Sequence, residues 1–176
     1  MEFNKSVSNP MLMGAYELMK AEDTPEHRNM FTQEMVKATF LSPAVIEPAP
    51  AEDAEGKLTI SPGSKVQLPM LSTNNGSRFF MAFTDEAEYD KWREKNQKYP
   101  TFALKLEEYA AMILRRDPNG NICPALGVVI NPYGANVIVP REMLANIMSV
   151  RAAQARQEAQ IRKDQQSVIT PFRPKV

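Results

Sequence analysis

Apolar residues recur at helical spacing through the first part of the chain. Leu12, Met13, Tyr16 and Met19 follow Asn9-Pro10, and Met30, Phe31, Met35 and Val36 follow Thr24-Pro25. Each set falls on one face of a 3.6-residue period, and a capping side chain followed by proline is a helix-opening signal. Two helices are therefore expected. Ala38 to Ile46 then becomes a largely apolar, strand-like run interrupted at Pro43. Further on, Val66, Leu68 and Met70 alternate with polar or small residues, as a half-buried strand does.

Asn75-Gly76 is expected to turn this strand, with both residues at positive φ, into a partner running from Arg78 to Phe83. Phe79, Met81 and Phe83 share one face of that partner, and Phe80 takes the other. Thr84-Asp85-Glu86 reads as a cap for a helix whose buried side carries Tyr89 and Trp92. Phe102, Leu104 and Leu106 mark another strand, and Ala110, Ile113 and Leu114 the inner face of the helix after it. Asp117-Pro118-Asn119-Gly120 stops that helix. Leu126 to Ile130 is unbroken apolar sequence, which predicts a central strand covered on both faces. Asn131-Pro132-Tyr133-Gly134 then turns the chain, with Gly134 as the positive-φ position, into Val137-Ile138-Val139. Pro140 opens a long last helix with Met143, Leu144, Ile147, Met148 and Val150 on one stripe.

These elements predict an α+β fold, with one mixed, mostly antiparallel sheet packed by helices. N-terminal helices precede it and a long C-terminal helix follows. Residues 1–23 are expected to form a helical extension, 24–150 the α+β domain, and 151–176 a polar, basic helical extension and tail. Within the domain, residues 47–56 carry two prolines, four acidic residues and no large apolar side chain, so they are expected to form an exposed acidic loop.

Charge changes the picture mainly by exclusion. Lys and Arg total 21, as do Asp and Glu, so no global field favours nucleic acid or an anionic membrane. The imbalance is local: from Arg141 onward seven basic residues stand against three acidic ones. No run approaches the roughly 18 apolar residues that span a bilayer, and the first residues carry no secretory signal. A cytoplasmic protein is expected.

Catalytic chemistry finds little material. One histidine and one cysteine exclude an internal disulfide and leave too few soft ligands for a metal site. His27 lies in the first turn of a helix between Glu26 and Arg28, where a surface role is expected. Cys123, before Pro124 in an apolar stretch, is expected as a packed thiol. Glu107 and Glu108 are adjacent, so on a helix they diverge by about 100° and do not form a facing acid pair. Neither phosphate-binding glycine loop nor nucleophile elbow is present. No catalytic residue, metal or cofactor is expected.

Two blocks carry a family resemblance. The first is Leu68-Pro69-Met70-Leu71, Gly76, Phe79, Ala82-Phe83-Thr84, Glu86 and Trp92. The second is Val128-Val129-Ile130-Asn131-Pro132-Tyr133-Gly134, and Phe40-Leu41-Ser42-Pro43-Ala44-Val45 fits the opening. Together they resemble the N-terminal domain of the bacterial SseB (enhanced serine sensitivity) family over about Pro25 to Met148. The resemblance implies an α+β domain and brings no catalytic residue with it.

The function expected is therefore a non-enzymatic module that recognises another protein. Its candidate binding surface comprises Arg78, Trp92, Asn131, Pro132, Tyr133 and Gly134. The alternative is a small-ligand sensor with a pocket between sheet and helix near Arg78, Trp92 and Tyr133. Arg78 there would hold a carboxylate or phosphate. Met143, Leu144 and Ile147 form a candidate face for a homo-oligomer.

Overall fold

The structure, a computed structural model, describes residues 2–3, 6–52, 58–93 and 99–168. In chain order the elements are β1 (Glu2–Phe3), α1 (Pro10–Ala21), α2 (Pro25–Lys37), β2 (Thr39–Pro43), β3 (Val45–Glu47), β4 (Ala51–Glu52) and β5 (Leu58–Thr59). They continue with β6 (Lys65–Gln67), β7 (Met70–Ser72), β8 (Arg78–Ala82), α3 (Glu86–Trp92), β9 (Thr101–Lys105) and α4 (Leu106–Leu114). The last are β10 (Ala125–Ile130), β11 (Val137–Pro140) and α5 (Arg141–Val168).

The fold is α+β, with strands that pair mostly antiparallel. They divide into a three-stranded sheet, β1-β9-β2, and a four-stranded sheet, β11-β10-β8-β7. An antiparallel bridge between Leu41 and Phe83 joins the two. The β8–β10 pair is parallel, since the chain between those strands passes through α3, β9 and α4. Two small ribbons, β3-β6 and β4-β5, complete the described strands. The stretch expected as a bare acidic loop thus begins in one ribbon and enters another; residues 53–57 lie outside the described residues.

Strand alternation sends successive side chains to opposite faces, and two cores result. On one face Phe40, Phe80, Ala82, Phe102, Leu104, Val128, Ile130 and Val139 meet helix residues Leu12, Phe31, Met35, Tyr109, Ile113 and Leu144. On the other, Leu41, Met81, Phe83, Ala103 and Val129 are covered by Val7 and by Tyr89 of α3, with Leu71, Phe79 and Trp92 half-buried beside them. A fully buried side chain of this size stabilises by about 1.5–3 kcal/mol. The helix-covered face, holding most of them, therefore anchors the fold.

Several local expectations hold. Thr24 caps α2 by accepting from His27 N–H at 3.2 Å. Asp85 caps α3 by accepting from Glu88 N–H at 2.9 Å.

Others are corrected. Within the expected N-terminal extension, α1 is not an appendage, because it seats Leu12 and Ala15 in the main core and places Tyr16 near Phe31, ring centroids 5.8 Å apart. Met30, Val66 and Leu114 are exposed rather than inward. Tyr109 is the fully buried aromatic of α4, and desolvation pushes its phenol well above the usual tyrosine range. Gly76 alone of its turn takes positive φ, at 81°.

The proposed oligomer face is also corrected. Leu144 is fully buried, and Met143 and Ile147 pack against the chain's own core. The stripe serves to dock α5. Beyond it, Arg151 pairs with Glu107 of α4, and residues 152–165 of α5 are exposed. Residues 169–176 lie outside the described residues.

Candidate interaction surface

The turn after β10 is built around Asn131, which is fully buried. Its Oδ1 accepts from Thr84 N–H at 2.9 Å, and its Nδ2 donates to Thr84 Oγ1 at 2.8 Å. Its backbone N–H donates to Ala82 O, and its carbonyl accepts from Gly134 and Asn136 N–H. Asn9 approaches the same place, its Nδ2 donating to Thr39 O at 2.7 Å and Thr84 O at 2.8 Å. Two asparagines therefore tie α1, β2, β8 and β10 together. Asn131 is a structural clamp, which corrects its place on the expected binding surface.

Gly134 is corrected in its reason. The positive φ angles of this turn belong to Asn131 (49°) and Asn136 (50°), residues whose short amides tolerate the left-handed region. Glycine is needed at 134 for space: a Cβ there would lie 2.3 Å from Glu88 Oε2. That oxygen is buried without a hydrogen-bond partner.

The remaining expected residues are spread along the β8–β10 pair and α3. Arg78 is exposed at the first position of β8, opposite Ala125. Ile130 lies opposite Ala82 at the other end of the pair, about 13 Å away at the rise of a strand. Pro132 and Tyr133 lie beyond that end, Pro132 half-buried and Tyr133 56% exposed. Trp92 is half-buried in an aromatic row, with ring centroids 6.0 Å from Phe83, 5.8 Å from Tyr89 and 5.4 Å from Tyr99. Tyr89 donates from its hydroxyl to Tyr99 O at 3.0 Å, and desolvation raises its pKa. Arg78 and the Tyr133 turn thus lie at opposite ends of the β8–β10 pair, and Trp92 packs with Phe83 and Tyr89.

What the fold does assemble is a groove of about 570 Å³ beside β10, β11 and the start of α5. Phe79, Ile122, Leu126, Ile138 and Pro140 supply apolar walls, and Arg141 and Glu142 supply charge. Leu126 is 48% exposed and Ile138 is 53% exposed. Leu126 was expected inside, since the strand reads as unbroken apolar sequence. A register shift between Ala125 and Val128 turns it outward. Gly127 sits within that shift, where a Cβ would lie 2.2 Å from Val139 O. The interrupting glycine was the available signal, because glycine inside a strand marks a bulge or close backbone approach.

An α+β domain carrying an apolar groove on a strand pair, and no metal-holding cluster among its described residues, defines the class. The SseB protein N-terminal domain model matches residues 12–146. The chain belongs to that family. The match begins within α1, consistent with the packing of that helix into the core. No curated protein and no solved structure matches the chain. Among the described residues no helix is long and apolar enough to cross a membrane.

Proposed function

We propose that this SseB domain is a non-enzymatic docking module of the bacterial cytoplasm that recognises another protein through its β10–β11 face. The observation carrying the reading is the exposed apolar cluster Ile122, Leu126 and Ile138 around one groove. Large contiguous apolar surface is costly in water and marks interaction sites on folded proteins. The groove walls belong to paired strands and the start of a helix, so a partner would meet a preformed surface at low entropic cost. The buried polar side chains of the turn, Thr84 and Asn131, are spent on each other and serve the scaffold.

The test is affinity capture from the native cytoplasm with the unaltered chain, Leu126→Asp and Ile138→Asp, each confirmed folded by circular dichroism. A protein retained by the unaltered chain and lost by both variants supports docking at this face. An identical captured set from all three overturns it.

A further inference from the structure

One side chain in this groove has an electrostatic position that the scaffold leaves open. Arg141, half-buried at the start of α5, donates from Nη2 to Cys123 O and Ala125 O, both at 2.7 Å. Its Nε is buried and has no partner. Its Nη1 donates to nothing among the described residues, and no carboxylate there lies within ion-pair distance of the guanidinium. A partly desolvated cation without a counter-charge is unfavourable unless a partner group supplies one. The two carbonyls hold the guanidinium in place yet bring only partial charge. Glu142, the groove's other charged residue, is exposed and makes no ion pair with Arg141 among the described residues.

The walls around this cation are apolar: Phe79, Ile122, Leu126 and Ile138. We propose that the groove binds a peptide segment of the partner in which an acidic side chain is flanked by apolar ones, with Arg141 receiving the carboxylate. This rests on the docking reading above and names the chemistry of its partner. The charges are complementary, and a charge-assisted hydrogen bond is stronger than a neutral one. The apolar flanks bury against Leu126 and Ile138, which supplies affinity, while Arg141 supplies selection. A neutral isostere leaves the cation unpaired and is rejected on that ground.

The experiment uses the full chain and fluorescein-labelled peptides of about eight residues, read by anisotropy. A central Glu is flanked by combinations of Leu, Ile, Val and Phe, and every sequence is repeated with Gln in place of Glu. Glu peptides are expected to bind at least about ten-fold more tightly than their Gln counterparts, with the preference shrinking as salt rises. Arg141→Gln abolishes the preference, Arg141→Lys retains part of it, and Leu126→Asp weakens both peptide sets. The Glu and Gln comparison needs only the unaltered chain, so it survives any folding defect in the variants. Equal binding of the two sets overturns the role of Arg141 while the docking reading stands. No binding by any peptide overturns the acidic-peptide inference; the docking reading is then judged separately by Leu126-dependent capture.

Discussion

Asn131 closes on Thr84 with both ends of its amide: Oδ1 accepts the backbone N–H at 2.9 Å and Nδ2 donates to the hydroxyl at 2.8 Å. The pair joins the ends of the parallel strands β8 and β10, which no short turn connects. Replacing Asn131 with Ala would strand the buried Thr84 N–H, leave the Thr84 hydroxyl with Asp85 as its one remaining partner among the described residues, and put a residue without local side-chain hydrogen bonds at φ 49°. A loss of about 2–4 kcal/mol is expected by urea unfolding. Asn131→Asp is expected to be at least as damaging near neutral pH, because a carboxylate cannot donate to Thr84 Oγ1 and would be buried charged.

Gly127 inside β10 and Gly134 in the turn after it should respond differently to alanine. At Gly127 the added Cβ meets backbone, Val139 O at 2.2 Å, so β10 and β11 must separate. A loss of more than about 3 kcal/mol is expected. At Gly134 it meets the end of the Glu88 side chain, which can swing away. The expected cost is about 1 kcal/mol, including disruption of the Glu88–Lys91 pair. A double-mutant cycle of Gly134→Ala with Glu88→Ala should show that most of this cost disappears when the carboxylate is absent.

Tyr109 gives the fold an alkaline limit. Burial raises its pKa in the folded state, while a hydrogen bond from Ser42 partly counters the shift. The folded chain then holds this proton more tightly than the unfolded chain, so the contribution is complete below the unfolded value near 10. Above about pH 10 it is lost at up to about 1.4 kcal/mol per pH unit. Tyr109→Phe removes the hydroxyl that donates to Met81 O at 3.2 Å. It should cost about 1 kcal/mol at pH 7, with the deficit shrinking as pH climbs past 10 in a denaturant series.

Truncating the chain after Arg151 should leave the domain's stability within about 0.5 kcal/mol. The helix beyond that residue is exposed through residue 165, so little packing is lost. Arg151 itself, paired with Glu107, is kept in the truncated form. Thermal unfolding of the two lengths checks this, and a large drop would mean that the distal helix stabilises the body.

The elements themselves were legible in the sequence because their signals are local. Thr24 and Asp85 announce their helices through capping chemistry within four residues, and the period of Phe31 and Met35 marks a buried face. Phe79, Met81 and Phe83 share a face because strand alternation has a period of two. The motif order through Asn131 and Gly134 was enough to point to the family. What each residue does there depended on contacts far away in the chain.

Asn131 reads as a turn residue until Thr84, 47 positions earlier, is placed beside it. Gly134 reads as a conformational necessity until Glu88 is seen to occupy its side-chain space. Leu126 reads as core because apolar sequence carries no mark of a register shift other than one glycine. Arg141 reads only as the first basic residue of the C-terminal segment, and only the packing of α5 against β10 half-buries it without an ion-pair partner among the described residues. The sequence by itself determined the main helices and strands, the α+β class and the family, since periodicity, caps and motif order act over short stretches; the small ribbons β3-β6 and β4-β5 came only with the fold. The tertiary structure alone decided which side chains are clamps, which are walls and where the groove lies, because burial and charge compensation depend on residues that meet only when the chain has folded.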